Sequence, residues 1–158
     1  MERIEKTFDI DCPVRTVYNQ WTQFEEFPRF MDGVKEVRQV DDTHLHWKAS
    51  IAGKEKEWDA EITEQVPDQR IAWRSTAGVL NAGTVRFEQV AQDRSRVHLT
   101  MEYEPKGLIE NVGDAMGMVD RKLDKAVEDF KKLIEQRGQE TGAWRGEVHG
   151  GQKTGERH

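Results

Sequence analysis

Residues 109–133, IENVGDAMGMVDRKLDKAVEDFKKL, decide the fold because their apolar side chains recur at intervals of three and four. This spacing places them on one face of an α-helix that is several turns long. The apolar positions are Ile109, Val112, Met116, Val119, Leu123, Val127, Phe130 and Leu133. We therefore predict a long C-terminal helix that covers another element with one apolar face.

The element to be covered is a sheet, because apolar and polar residues alternate through residues 33–104. Such alternation is typical of strands with one covered and one solvated face. Turn signals such as Pro67-Asp68 separate the runs, and residues 76–83, which contain glycine, indicate a longer loop. Short turns between successive strands predict an antiparallel meander.

The N-terminal part of the chain predicts one strand and two short helices. Residues 4–10 alternate as a strand. Asp11 or Cys12 is expected to cap a short helix with Pro13 in its first turn, and its apolar face is formed by Val14, Val17, Tyr18 and Trp21. Phe24–Phe30 repeats apolar residues every third position and indicates a second short helix.

The C-terminal end has a different character. After Arg137 the chain is rich in glycine and poor in apolar residues, so it has little to bury against the entropy of ordering. We expect a domain of residues 1–136 and a flexible tail of residues 137–158. Trp144 is the one apolar aromatic in that tail and is expected to be exposed, loosely docked or in contact with a partner.

Four motifs then point to a family: IDCPV (10–14), WTQFEEFPRFM (21–31), WDAEITE (58–64) and RIAWRS (70–75). With the order of elements, they resemble the helix-grip fold of the START/Bet v 1-like (SRPBCC) superfamily, and more narrowly its bacterial polyketide cyclase/dehydrase and coenzyme Q-binding START group. The resemblance covers residues 1–136. It implies an α+β fold in which an antiparallel sheet of six to seven strands wraps around the C-terminal helix, with a cavity between them. It does not imply a reaction, because this superfamily includes carriers, sensors and cyclases.

The residues that would face such a cavity are mostly large and apolar. The candidates on the sheet are Trp47, Trp58, Trp73, Phe87, Leu99, Met101 and Tyr103, and those on the helix are Val112, Met116 and Val119. Two interpretations stay open: these side chains form the wall of a ligand site or they fill a core. Gly107, Gly113 and Gly117 either leave space beneath the helix or permit close packing on the sheet.

Catalytic signatures are missing from the sequence. It contains no Gly-x-Ser-x-Gly, His-Glu-x-x-His, Cys-x-x-Cys or phosphate-binding glycine loop, so we expect no cofactor. Tyr103 and Tyr18 are the candidate acid–base groups. His44, His46 and His98 share a face that should be solvated, so we expect surface histidines and no metal site.

Composition limits the class of protein. The charged fraction is 34%, the net charge is −6 and no run approaches the roughly 18 apolar residues of a membrane span. The N-terminus has no apolar signal region, so a soluble, cytoplasmic protein is expected. Basic and acidic residues are interleaved, which argues against a nucleic-acid partner. Cys12, the single cysteine, cannot form an internal disulfide and is expected to be a buried thiol.

The sequence therefore favours binding or transport of a small hydrophobic ligand such as a lipid, a quinone or a polyketide-like aromatic. A polyketide cyclase or dehydratase that uses the same cavity is the alternative from the enzyme class. A ligand-free interaction module that acts through its surface or through the Trp144 tail is the third hypothesis. The oligomeric state stays open.

Overall fold

The computed structural model describes residues 2–51, 53–104 and 115–154. The strands are β1 (Glu2–Ile10), β2 (Val34–Asp41), β3 (His44–Ile51), β4 (Lys54–Val66), β5 (Arg70–Gly78), β6 (Asn81–Ala91), β7 (Arg94–Tyr103), β8 (Glu147–His149) and β9 (Gln152–Thr154). The helices are α1 (Val14–Trp21), a 3₁₀ helix (Phe24–Arg29) and α2 (Ala115–Arg137). These elements confirm the predicted α+β order of one strand, two short helices, a meander and a long helix.

The main sheet is antiparallel and runs in the order β1-β7-β6-β5-β4-β3-β2. Only β1 leaves the sequential order, because it returns to pair with β7 along nine residue pairs from Glu2↔Tyr103 to Ile10↔Ser95. The seven strands and the long C-terminal helix confirm the helix-grip fold that the sequence predicts.

Helix α2 places its apolar stripe on the sheet side. The buried positions recur at intervals of three and four: Val119, Leu123, Ala126, Phe130 and Ile134. This is the spacing of one helical face, and it confirms the predicted stripe over this part of the helix. Ile109, Val112, Gly107 and Gly113 lie outside the described residues, as does the side chain of Met116.

The longer loop predicted over residues 76–83 is wrong. Strand β5 continues to Gly78 and β6 begins at Asn81, so only two residues connect them. Two of the glycines in this stretch allow neighbouring groups to lie close to the strand backbone. A Cβ on Gly83 would lie 2.5 Å from the Trp73 ring, and one on Gly78, where φ is +82°, would collide with the backbone of β4.

The segment after Arg137 also differs from the expected flexible tail, because residues 138–154 pack against the domain. Strand β8 pairs with the second half of β4, and β9 pairs with β8. The Val148 side chain is fully buried, and Trp144 packs against the core at partial burial. Strand pairing and a few well-placed side chains offset the ordering entropy, although the composition of the segment is poor in apolar residues.

Candidate functional site

A cavity of about 210 Å³ lies between the concave face of the sheet, the 3₁₀ helix and α2. Its sheet wall carries six of the predicted side chains: Trp47, Trp58, Trp73, Leu99, Met101 and Tyr103. Strand alternation brings them to one face, as expected from their spacing. Val119 of α2, another predicted residue, closes the opposite side.

The tryptophans of the sheet wall are held in fixed positions. Trp47 and Trp58 are directly opposite each other on β3 and β4, and their rings stack with centroids 5.6 Å apart. The Trp73 indole N–H donates to Oδ1 of Asn81 at 3.0 Å, which satisfies its polar atom. Each of the three rings is only half-buried although it lies on the sheet's inner face. They therefore leave a gap toward α2.

One end of the cavity is an aromatic wall that the sequence interpretation did not assign to the site. Trp21 at the end of α1 and Phe24, Phe27 and Phe30 around the 3₁₀ helix line this end. Two of these rings pack edge to face on neighbouring aromatic residues. The ring centroids of Trp21 and Phe130 are 4.8 Å apart, and those of Phe27 and Trp47 are 5.7 Å apart. The three-residue spacing of the phenylalanines was the available signal, because it places them on one side of a tight helix.

Polar groups are few along the described part of the cavity. The Tyr103 side chain is fully buried and lines the wall, and its hydroxyl has no hydrogen-bond partner among the described residues. Burial raises the pKa of this phenol, and the carboxylates of Glu2 and Asp120 raise it further. The group is therefore a neutral hydrogen-bond donor at physiological pH.

Two other predicted residues do not reach the described cavity wall. Phe87 is buried against Tyr18 and Trp21, with ring centroids 5.2 and 5.9 Å away, and only Trp21 of these three lines the cavity. Tyr18 thus lies behind Phe87, in the packed core. Burial raises the pKa of Tyr18 to about 12, and the Arg145 guanidinium lies 5.5 Å from its ring centroid. Tyr18 does not line the described cavity and is therefore not positioned to donate a proton to a ligand there.

The single thiol, that of Cys12, is buried in the core. Cys12 is buried, and its Sγ lies 3.7 Å from the Ile134 carbonyl oxygen. Burial raises the pKa of the thiol, with smaller contributions from Glu135 and Asp11. Such a group stays protonated at neutral pH and is a poor nucleophile.

The histidines lie on the outer face of the sheet among carboxylates. His46 lies 2.6 Å from Asp59 and 3.0 Å from Glu57, and these contacts raise its pKa. His98 pairs with Glu88 on β6 instead of joining His46. Within residues 2–51, 53–104 and 115–154, no group of three histidine, cysteine or acidic side chains is arranged to hold a metal ion. None of the helices in these ranges is long and apolar enough to cross a membrane.

The sequence places this chain in a known family. Residues 10–132 match the profile of "Polyketide cyclase / dehydrase and lipid transport", so the chain belongs to that family. It is 49% identical over 149 residues to an uncharacterized 17.2 kDa protein of Streptomyces lincolnensis, with 94% of this chain and 99% of the relative covered.

Solved structures agree on the fold. An aromatase/cyclase from Streptomyces sp. R1128 superposes with a TM-score of 0.70 at 16% identity, covering 90% of this chain and 99% of that one. A START superfamily protein from Mycobacterium smegmatis gives 0.66 at 14% identity, covering 85% and 95%. Identities this low support a shared helix-grip fold and carry no information on the ligand.

Proposed function

We propose that this protein binds a small hydrophobic molecule in the cavity between the sheet and α2. The observation that carries the proposal is a cavity of about 210 Å³ whose described walls are almost wholly aliphatic and aromatic. An apolar molecule gains roughly 25 cal/mol per Å² of apolar surface removed from water. Lipids, quinones and polyketide-like aromatics are the ligand classes whose shape and polarity suit such walls.

The orientation of the ligand would come from a small number of polar groups, as in other apolar pockets. Tyr103 supplies one, because its hydroxyl lacks a partner among the described residues and a ligand carbonyl or hydroxyl can accept its hydrogen. Asn81 also lines the cavity, but its Oδ1 already accepts from Trp73. A ligand with one acceptor within an otherwise apolar body therefore suits these walls.

The test fills the cavity from the helix side. Ala126 is buried on α2 and lines the cavity, so Ala126→Phe puts a ring into the space that a ligand would use. Ala91→Phe, at the exposed end of β6, is the matched control with the same change in side chain. Native mass spectrometry measures molecules retained from the host, and tryptophan fluorescence measures uptake of decanol, a naphthoquinone and an anthraquinone.

We expect the wild-type protein and Ala91→Phe to take up the same molecules and Ala126→Phe to bind them at least about tenfold more weakly, because its ring would overlap the ligand. Equal uptake by both variants would place any binding outside this cavity. Absence of uptake by the wild-type protein across the panel and in native spectra would overturn the proposed function.

A second candidate is a cyclase or dehydratase that uses the same cavity. Two observations favour it: the chain's family includes polyketide cyclases by its description, and the fold matches an aromatase/cyclase. Tyr103 is the candidate proton donor here, because it lies on the cavity wall with a neutral, unpartnered hydroxyl. Turnover of a poly-β-carbonyl substrate that is lost in Tyr103→Phe would favour this function over carriage.

A further inference from the structure

The opening of the cavity can be located from the exposure of its lining. Of the described residues that line the cavity, Asp32 and Lys122 are exposed, and the others are buried or half-buried. Asp32 lies in the turn before β2, and Lys122 lies on the facing side of α2. Along the described part of its lining, the cavity therefore meets solvent between this turn and the helix.

Lys122 stands out in the apolar stripe of α2. It follows Val119 by three residues and precedes Leu123 and Ala126, all of which line the cavity. A lysine at this position places its methylene stem along the apolar wall while the ammonium stays in water. The stem is thus part of the wall, and the charge lies at the opening.

Among the described residues, the charges around the opening form pairs that do not include this ammonium. Asp32 lies 3.3 Å from the Lys125 ammonium, which also pairs with Asp129 at 2.6 Å. Asp32 is thus paired with Lys125, which it shares with Asp129. Among the described residues, no carboxylate lies within ion-pair distance of Lys122.

The turn opposite the ammonium is shaped by Gly33. This residue has φ +89°, and a Cβ there would lie 2.8 Å from the Ser50 carbonyl oxygen and 4.0 Å from Lys122 Nζ. The close contact with the Ser50 carbonyl oxygen and the positive φ require glycine here, and the 4.0 Å distance shows that the Lys122 ammonium lies beside this turn at the mouth of the cavity.

We propose that the cavity binds an amphipathic acid, with its apolar body between the sheet and α2 and its carboxylate on the Lys122 ammonium. This inference rests on the proposed function, because it assigns one end of the same ligand. It narrows the ligand class from any hydrophobic molecule to one with a terminal anion. Tyr103 then contacts an acceptor inside the cavity, and Lys122 contacts the charge at its mouth.

The experiment compares decanoate with decan-1-ol, which have the same chain length and differ in the charge at one end. Binding is measured by calorimetry near pH 8 for the wild-type protein, Lys122→Gln, Lys122→Arg and Lys132→Gln. Lys132 is exposed on the same helix and does not line the cavity, so it is the matched control. The wild-type protein should prefer decanoate, and higher ionic strength should reduce that preference.

Lys122→Gln should weaken decanoate binding about fivefold more than decanol binding, because the shorter stem affects both molecules and the lost charge-assisted contact affects decanoate alone. Lys122→Arg should retain the preference, and Lys132→Gln should behave as wild type. Equal affinity of the wild-type protein for both molecules, or a preference that survives Lys122→Gln, overturns the anionic-end assignment and leaves the hydrophobic cavity standing. Failure of both molecules to bind, together with no uptake from the broader panel, overturns both proposals.

Discussion

Both ends of the space between the sheet and the helices carry inward-facing aromatic residues. At one end the ring is covered by other side chains, and at the other it borders the cavity. At one end Phe87 of β6 faces inward and is covered by Tyr18 and Trp21. At the other end Trp58 of β4 also faces inward, but it stacks sideways on Trp47 and leaves a gap toward α2. An inward aromatic residue is therefore core or cavity wall depending on the element opposite it. Alternation along its own strand does not distinguish the two.

The sharpest way to break this comparison is to remove one ring from each end. Phe87→Ala should lower the free energy of unfolding by about 3–5 kcal/mol, because it empties a space enclosed by other rings. Trp58→Ala should cost less, since its ring is half-buried and borders a cavity that already exists. Urea titration of both variants measures the difference.

Ligand uptake should show the reverse order. Trp58→Ala changes the cavity wall and should alter uptake of the panel molecules, whereas Phe87→Ala should leave their affinities near wild type while the protein is folded. If Phe87→Ala altered uptake as much as Trp58→Ala, the two ends would belong to one continuous ligand site.

The C-terminal segment provides a second, smaller comparison, between a valine that is buried in this segment and a valine that is exposed on the sheet. Val148→Asp puts a carboxylate at a fully buried position in β8 and should detach the segment, with a loss of about 2–3 kcal/mol in unfolding free energy. Val40→Asp is the control, because Val40 is 60% exposed on β2 and its change should be close to neutral.

Thermal denaturation compares the two variants. A melting temperature that is the same for Val148→Asp and Val40→Asp would mean that the packed segment adds no stability. A pull-down with Val148→Asp also tests the interaction-module hypothesis, because freeing Trp144 should increase any partner binding through this segment.

Much of the fold follows from local sequence patterns, whereas parts of the site depend on what lies opposite in space. The stripe from Val119 to Phe130 fixes one buried helical face, and alternation fixes the inward phase of Trp47 and Trp58. Phe87 also faces inward by alternation, but side chains of α1 fill the space next to it. The alternation along β6 does not indicate which element lies opposite. This is why the wall residues could be predicted as a group and the extent of the cavity could not.

The C-terminal segment was missed for a related reason. Average composition describes how much apolar area a segment can bury, but this segment is held by particular partners. Arg145 donates to Asp68 at 2.7 Å and to Asn19 at 2.5 Å, and Val148 pairs opposite Gln65. Two residues with dedicated contacts to distant parts of the chain do not show in a composition average.

The smallest expected effects concern the two buried tyrosines, one at each end. Both side chains are fully buried, and neither hydroxyl has a hydrogen-bond partner among the described residues, although Gln65 lies close to that of Tyr18. Tyr18→Phe should change the unfolding free energy by less than about 1 kcal/mol and leave binding intact, because it removes a buried polar group that has no described partner.

Tyr103→Phe should be equally mild for stability but should weaken binding of a carbonyl-bearing ligand such as the naphthoquinone by about fivefold. Decanoate, whose only acceptor is assigned to Lys122 at the mouth, should be unaffected, which separates a lost hydrogen bond from a deformed wall. Because burial raises the pKa of both phenols, neither ionises at neutral pH, so the effect on quinone binding should be constant from about pH 6 to pH 9. Equal quinone affinities in Tyr18→Phe and Tyr103→Phe would show that the Tyr103 hydroxyl does not contact the ligand, and would remove the proton donor on which the cyclase alternative depends.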